Sequence, residues 1–286
     1  GALYALRRLE IYCRLVGDQL LQLDSVQHHL PSLHLLACPA AKIQKGRHGI
    51  ICAPNIFDVL GSKNKLKRFK ENETFENVIQ PSRNEVLEGF EMAGSWSSFF
   101  ENDNPIVLEL GGGKGEYSVA LGKQNTDKNF IGIDIKGARF WRGAKTALES
   151  GLKNVAFLRT QIELIDRCFA ENEISEIWIT FPDPQIKYKR TKHRMVTRRF
   201  LEMYEFILNP EGIMHLKTDS EFLHGYLLGV LHEGNHEVLY AHHDIYNSSS
   251  SPAEATSIQT FYESQYLEKK KAITYIRFRT NYGGQS

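Results

Sequence analysis

From Asn104 onward, short apolar runs alternate with longer amphipathic stretches. Ile106–Leu110, ending in Gly-Gly-Gly, predicts a strand, and Glu116–Lys123 the helix that follows it. Phe130–Asp134 predicts a second strand, and Ala138–Glu149 a helix closed by Gly151. Val155–Leu158 predicts a third strand, followed by a helix over about Ile162–Phe169. Glu176–Phe181 is a fourth, running into Pro-Asp-Pro; Thr197–Leu208 is a helix that stops before Pro210. Gly212–Lys217 is a fifth strand, Glu221–Glu233 a helix, and Glu237–His242 and Ala272–Arg279 two late strands. The alternation predicts an α/β fold. Its expected core is a doubly wound, mostly parallel, Rossmann-like sheet of seven strands, with the last two forming an antiparallel edge.

The first 60 residues follow a different pattern. They hold three of the four cysteines and few charges, and no methionine occurs before Met92. They are read as an N-terminal extension of unknown role outside the natural product, or as a small accessory segment, because Tyr4–Leu23 carries apolar residues at helical spacing. Residues 61–103 form a basic lead-in, 104–280 the main domain and 281–286 a C-terminal tail. Leu20–Leu36 is interrupted by Gln, Asp and His and lacks the layout of a secretory signal. No apolar run reaches the roughly 18 residues of a membrane span. Cys13, Cys38, Cys52 and Cys168 form no Cys-x-x-Cys pair, so neither a disulfide framework nor a metal site is expected, and the cytoplasm is the expected compartment.

The loop after the first strand narrows the chemistry. Glu109-Leu110-Gly111-Gly112-Gly113-Lys114-Gly115 opens a helix, and its glycines allow a sharp turn and close approach of a ligand. A Walker loop would need Gly where Leu108 stands, and a dinucleotide fingerprint would need Gly or Ala where Glu116 stands. The carboxylate of Glu116 would also oppose a pyrophosphate at the helix N-terminus. S-adenosylmethionine carries a cationic sulfonium and ammonium and no phosphate. Glu109 suits that cation, Gly111 and Gly113 its close approach, and Asp134 at the second strand's end the two ribose hydroxyls. Gln161, after the third strand, could read the adenine edge through its amide or be an ordinary solvated loop residue.

Phe181-Pro182-Asp183-Pro184 ends the fourth strand at the same sheet edge, where two prolines fix the backbone around one carboxylate. Lys187-Tyr188-Lys189-Arg190-Thr191-Lys192-His193-Arg194 follows, then Arg198-Arg199. The net charge of the whole chain is only +1, so nucleic acid would be held by a local patch of this kind. Lys63–Lys70 could add to that patch or be a solvated run. His215, Trp96, Trp141 and Trp178 are expected in the core. Asp219 could accept hydrogen bonds from a purine edge or cap the following helix. Glu263 could do the former or lie on the surface.

These segments, with Ile133-Asp134, His215-Leu216-Lys217-Thr218-Asp219 and Thr260-Phe261-Tyr262-Glu263, resemble the bacterial tRNA (guanine-N7-)-methyltransferases from about Lys65 to Arg279. The resemblance implies methyl transfer from S-adenosylmethionine to N7 of a guanine in the tRNA variable loop, in a protein that is a monomer or homodimer. Glu109, Asp134, Gln161 and Asp183 would then contact or flank the cofactor. Lys187, Asp219, Thr260, Phe261, Tyr262 and Glu263 would meet the guanine region, and Lys189, Arg190, Thr191, Lys192, His193 and Arg194 the tRNA. Three positions depart from the family pattern: Gln161 replaces an acidic residue, Gln185 a Trp and Arg190 a His. Guanine N7 has a lone pair in the ring plane and no proton to lose. The task is therefore alignment for in-line displacement, with Asp183 stabilising the positive charge that moves onto the purine. The competing readings are an RNA-binding protein on a non-catalytic methyltransferase fold, and a methyltransferase acting on a small molecule or a protein.

Overall fold

The computed structural model describes residues 56–281, with side chains described from residue 64. The expected extension over residues 1–60 therefore lies almost wholly outside the described residues, as does most of the C-terminal tail. Helix α1 (Ile56–Asn72) runs without a break across the expected boundary at residue 60. Strand β1 (Val78–Ile79) and helices α2 (Arg83–Gly89) and α3 (Trp96–Phe100) complete the lead-in.

The predicted strands are β2 (Ile106–Leu110), β3 (Asn129–Ile133), β4 (Val155–Leu158), β5 (Ile174–Thr180), β6 (Leu208–Thr218), β7 (Glu237–His242) and β8 (Thr274–Arg279). They pair in the order β1-β4-β3-β2-β5-β6-β8-β7, so the sheet has eight strands and not seven. The addition is β1, whose two residues pair in parallel with Phe157 and Leu158. Two residues carry too short a pattern to be read as a strand. The last strand is not at the edge: β8 inserts between β6 and β7 and is antiparallel to both.

Every residue of β2, β3 and β4 is buried, as expected for parallel strands covered on both faces. Alternate residues feed two cores. Leu108, Leu110, Ile131 and Ile133 face one that also holds Trp96, Phe169 and Tyr204. Val107 and Phe130 face the other, with Tyr117, Phe140, Phe157, Trp178 and Tyr275. The covering helices are α4 (Glu116–Gln124), α5 (Gly137–Glu149), α6 (Arg198–Ile207) and α7 (Glu221–Glu233). The helix expected over Ile162–Phe169 is a 3-10 turn, Ile162–Arg167. Helices α8 (Ala253–Thr256) and α9 (Phe261–Glu268) lie in the connection from β7 to β8.

Helix α1 is tied to α5 by three side-chain hydrogen bonds. Trp141 Nε1 and Lys145 Nζ donate to Glu71 at 2.9 and 3.1 Å, and Asn72 Nδ2 donates to Gly137 O at 2.9 Å. No described helix is long and apolar enough to cross a membrane.

Candidate active site at the carboxyl edge of the sheet

The glycine loop turns through left-handed backbone at Gly111, Gly113 and Gly115, with φ of +74°, +55° and +72°. A Cβ on Gly115 would sit 2.5 Å from the Phe157 ring and 3.2 Å from the Gly143 Cα, so a bare backbone lets α5 close against the loop. A Cβ on Gly112 would lie 2.8 Å from the Glu109 carboxylate. That carboxylate is 3% exposed. It accepts from Ser118 N–H, from Ser118 Oγ and from Thr180 Oγ1 at 2.9, 2.5 and 2.8 Å. Glu109 thus lies beneath the loop and holds α4 and β5 together; its charge is committed internally. Burial pushes its carboxyl up to about 7, against the hydrogen bonds from Ser118 and Thr180.

Asp134 directly follows β3, is 8% exposed and accepts from Lys136 N–H at 2.7 Å through Oδ1. One carboxylate oxygen thus fixes the turn. The next residue, Ile135, lines a cavity of about 320 Å³ with Thr160, Gln161, Leu164 and Arg83. Gln161 lies on its wall, where its Oε1 accepts from the Arg83 guanidinium.

A larger cavity of about 620 Å³ opens at the loop itself. Gly113, Lys114 and Phe181 line it, facing Tyr262, Tyr266 and the cations Arg68, Arg139 and Arg142. These three arginines and Tyr266 were not among the expected site residues. The usable signals were the basic run near Lys63–Lys70 and the spacing of Arg139 and Arg142, which places both on one helix face. Trp141, expected in the core, is half-buried on this wall, with Arg68, Arg142 and Lys145 at 5.0, 5.1 and 5.4 Å from its ring.

The segment after β5 is held in an unusual backbone. Phe181 and Gln185 are non-glycine residues with φ of +47° and +46°, on either side of Pro182-Asp183-Pro184. Such conformations cost about 1–3 kcal/mol each and persist where the surroundings enforce them. Phe181 N–H donates to Lys217 O at 2.8 Å, and Asp183 Oδ1 accepts from Gln185 N–H at 3.0 Å. Asp183 is exposed, two residues beyond Phe181, and does not itself line the larger cavity.

The basic stretch folds as a 3-10 turn, Tyr188–His193. Lys187, Lys189, Arg190, Lys192 and His193 are exposed and Thr191 is half-buried. Arg194 differs: it is 5% exposed and donates to the carbonyls of Gln185 and Ile186, both at 3.1 Å. Its guanidinium lies 4.9 and 4.7 Å from the rings of Phe222 and Tyr226. It therefore anchors the turn and does not face outward, contrary to the expectation that it touches RNA.

The Thr260–Glu263 segment meets the glycine loop from the far side. Phe261 N–H donates to Glu116 Oε2 at 3.0 Å, and Lys114 Nζ lies 4.0 and 5.2 Å from the rings of Phe261 and Tyr262. Thr260 and Glu263 form a capping box on α9. Glu263 is not a surface residue. It is fully buried, 2.7 Å from the fully buried Lys217, and accepts from Tyr246 Oη at 2.8 Å. Desolvation pulls the Lys217 ammonium below its usual range, and Glu263 partly restores it. Asp219 does not cap α7: the neighbouring Ser220 does, accepting from Leu223 N–H at 3.2 Å, while Asp219 pairs with Lys271. His215 is buried and stacks on Trp178 with centroids 3.9 Å apart.

A glycine cradle, a ribose-type carboxylate at a strand end and flanking cavities without a phosphate-binding lysine motif fit S-adenosylmethionine. A family model described as a putative methyltransferase matches residues 103–276. A tRNA (guanine-N(7)-)-methyltransferase from Christiangramia forsetii is 72% identical over 222 residues, covering 77% of this chain and 99% of the relative. One from Porphyromonas gingivalis is 50% identical over 210 residues, covering 72% and 85%. Among solved structures, a 16S rRNA methyltransferase, KamB, matches with a TM-score of 0.50 at 13% identity, over 66% of this chain and 94% of that one, which speaks to the fold alone.

Proposed function

The chain belongs to the tRNA (guanine-N(7)-)-methyltransferase family, and from that premise we propose how its residues serve the reaction. The protein transfers a methyl group from S-adenosylmethionine to N7 of a guanine in tRNA. When bound, the cofactor supplies an electrophilic methyl group on a sulfonium. Gly111–Gly115 let the backbone approach it, Asp134 accepts from the ribose hydroxyls, and Ile135 with Gln161 forms the wall for the adenine. Glu109 acts from below by holding the loop's shape. The reading rests on the shared edge: the cradle, Asp134, the strained Asp183 turn and the exposed cations 187–193 all lie at the carboxyl ends of β2 to β5.

The guanine enters the larger cavity, between the glycine loop, Phe181 and the rings of Tyr262 and Tyr266. N7 needs no general base. What it needs is a lone pair held in line with the methyl group and a fixed negative charge where positive charge develops. Asp183 supplies that charge. Its backbone geometry is set before substrate arrives, so little reorganisation accompanies the reaction. Lys187, Lys189, Arg190 and Lys192 contact backbone phosphates. The target is the variable loop of tRNA, an unpaired region whose bases can be drawn out, and the work is done in the cytoplasm.

Incubation with labelled S-adenosylmethionine and unmodified tRNA, followed by nucleoside analysis, should yield 7-methylguanosine. Label in a protein or small-molecule acceptor, with none in tRNA, would overturn the assignment. So would cofactor binding without any transfer.

A further inference from the structure

Building on the tRNA reading above, we propose that Tyr188 is a stacking platform for the unpaired base next to the methylated guanine. Its side chain is 93% exposed, the highest among the large exposed hydrophobic residues described, and Ile186 beside it is 65% exposed. A ring left so open brings nothing to the core of this domain.

The turn that carries the ring is nevertheless fixed. Arg194 grips the carbonyls of Gln185 and Ile186 on one side of it. On the other side, Thr191 Oγ1 donates to Tyr188 O at 2.6 Å, and Arg190 N–H donates to Lys187 O at 2.8 Å. An aromatic ring on a pre-ordered backbone loses little freedom when a flat partner stacks on it. The neighbours identify the partner. Lys187, Lys189 and Arg190 are exposed immediately around the ring, with Lys192 and His193 one turn on. Cations alternating with an open aromatic ring match single-stranded nucleic acid, whose phosphates pair with the cations while its bases stack on the ring.

Tyr188 also lies five residues beyond Asp183 on the same ordered segment. Drawing one guanine out of a folded RNA exposes the face of its neighbour, and an enzyme that covers that face lowers the cost of extrusion.

The test uses the full chain carrying Tyr188→Ala, Tyr188→Leu or Tyr188→Phe, with S-adenosylmethionine binding as the control for an intact fold. Ala and Leu should weaken binding of unmodified tRNA by about tenfold, while Phe stays within about twofold of the parent, as expected for one base–aromatic stack. The slope of log Kd against log salt should not change in any of the three, since no phosphate contact is lost. An Ala variant that binds as tightly as the parent overturns the proposal, as does a Leu variant with full affinity or a loss accompanied by a shallower salt slope. Formation of 7-methylguanosine by the parent is scored separately. If the parent methylates tRNA and Ala changes nothing, only the platform is refuted. If the parent methylates no tRNA, the platform falls with the reading beneath it.

Discussion

Two charged regions meet at the same edge of this sheet and use their charges in opposite ways. Lys217 and Glu263 are fully buried, paired with each other and enclosed by Ile258 O and Tyr246 Oη. The cations from Lys187 to His193 stand in solvent, and only Arg194 is turned inward. The residue types are similar; their burial is not. A buried charge must be satisfied by the protein itself, because desolvating it without a partner costs several kcal/mol. An exposed one costs the fold little and is available to a polyanion. The difference separates residues that hold the site together from residues proposed to meet the substrate.

The largest expected effect comes from breaking the internal pair. Glu263→Gln leaves a buried ammonium without its carboxylate and should lower stability by about 3–5 kcal/mol in urea unfolding. Adding Lys217→Met should recover much of that loss. A single variant as stable as the parent would place this pair with the idle surface charges and erase the contrast.

Glu109 sharpens the same contrast through pH. Its carboxyl is raised from 4.5 to about 7 in the folded state, so the folded protein holds this proton more tightly than the unfolded chain does. The stability it contributes is full below pH 4.5 and is lost as pH rises through about 7. At 1.36 kcal/mol per pKa unit the change amounts to about 3 kcal/mol. Unfolding free energies measured across pH 4 to 8, as an approximate window, should show this slope in the parent and not in Glu109→Gln. Equal slopes would show that the hydrogen bonds from Ser118 and Thr180 keep the group ionised throughout.

Asp183 belongs to the exposed class but is proposed to act on the reaction. Asp183→Asn should lower the single-turnover methylation rate by about tenfold or more, roughly 1.4 kcal/mol of barrier, and leave tRNA binding nearly unchanged. A rate equal to the parent's would make Phe181–Pro184 a purely structural turn.

The smallest effect on the fold is expected for Lys189→Ala, Arg190→Ala and Lys192→Ala combined. Thermal melting should hardly move, while the salt dependence of tRNA binding should lose about 0.7–0.9 of slope per phosphate contact removed. Arg194→Ala should do the reverse, lowering stability by about 2 kcal/mol through its lost carbonyl contacts. A salt-slope change from Arg194→Ala alone would return it to the RNA-facing group.

Much of this was legible along the chain. β2, β3 and β4 were readable because burial on both faces demands near-continuous apolar residues, and Gly111–Gly115 because a left-handed turn at a strand end demands glycine. The stretch 187–194 was readable as a cationic segment. Its division was not: nothing local distinguishes Arg194 from Arg190, since what sets them apart is the approach of Phe222 and Tyr226 from α7. Ser220 and Asp219 are both good helix caps by type, and Asp219 leaves that role to pair with Lys271, fifty-two residues away.

The alternation of elements, the positions of the strand ends and the residue types available there are written locally along the chain, because period, turn chemistry and side-chain type act over a few neighbouring residues. That β8 enters between β6 and β7, that Glu263 meets Lys217 and that Glu109 lies under the loop are settled by the assembled fold. Each of those depends on which distant groups exclude water from a given side chain, and burial is a property of the assembled fold.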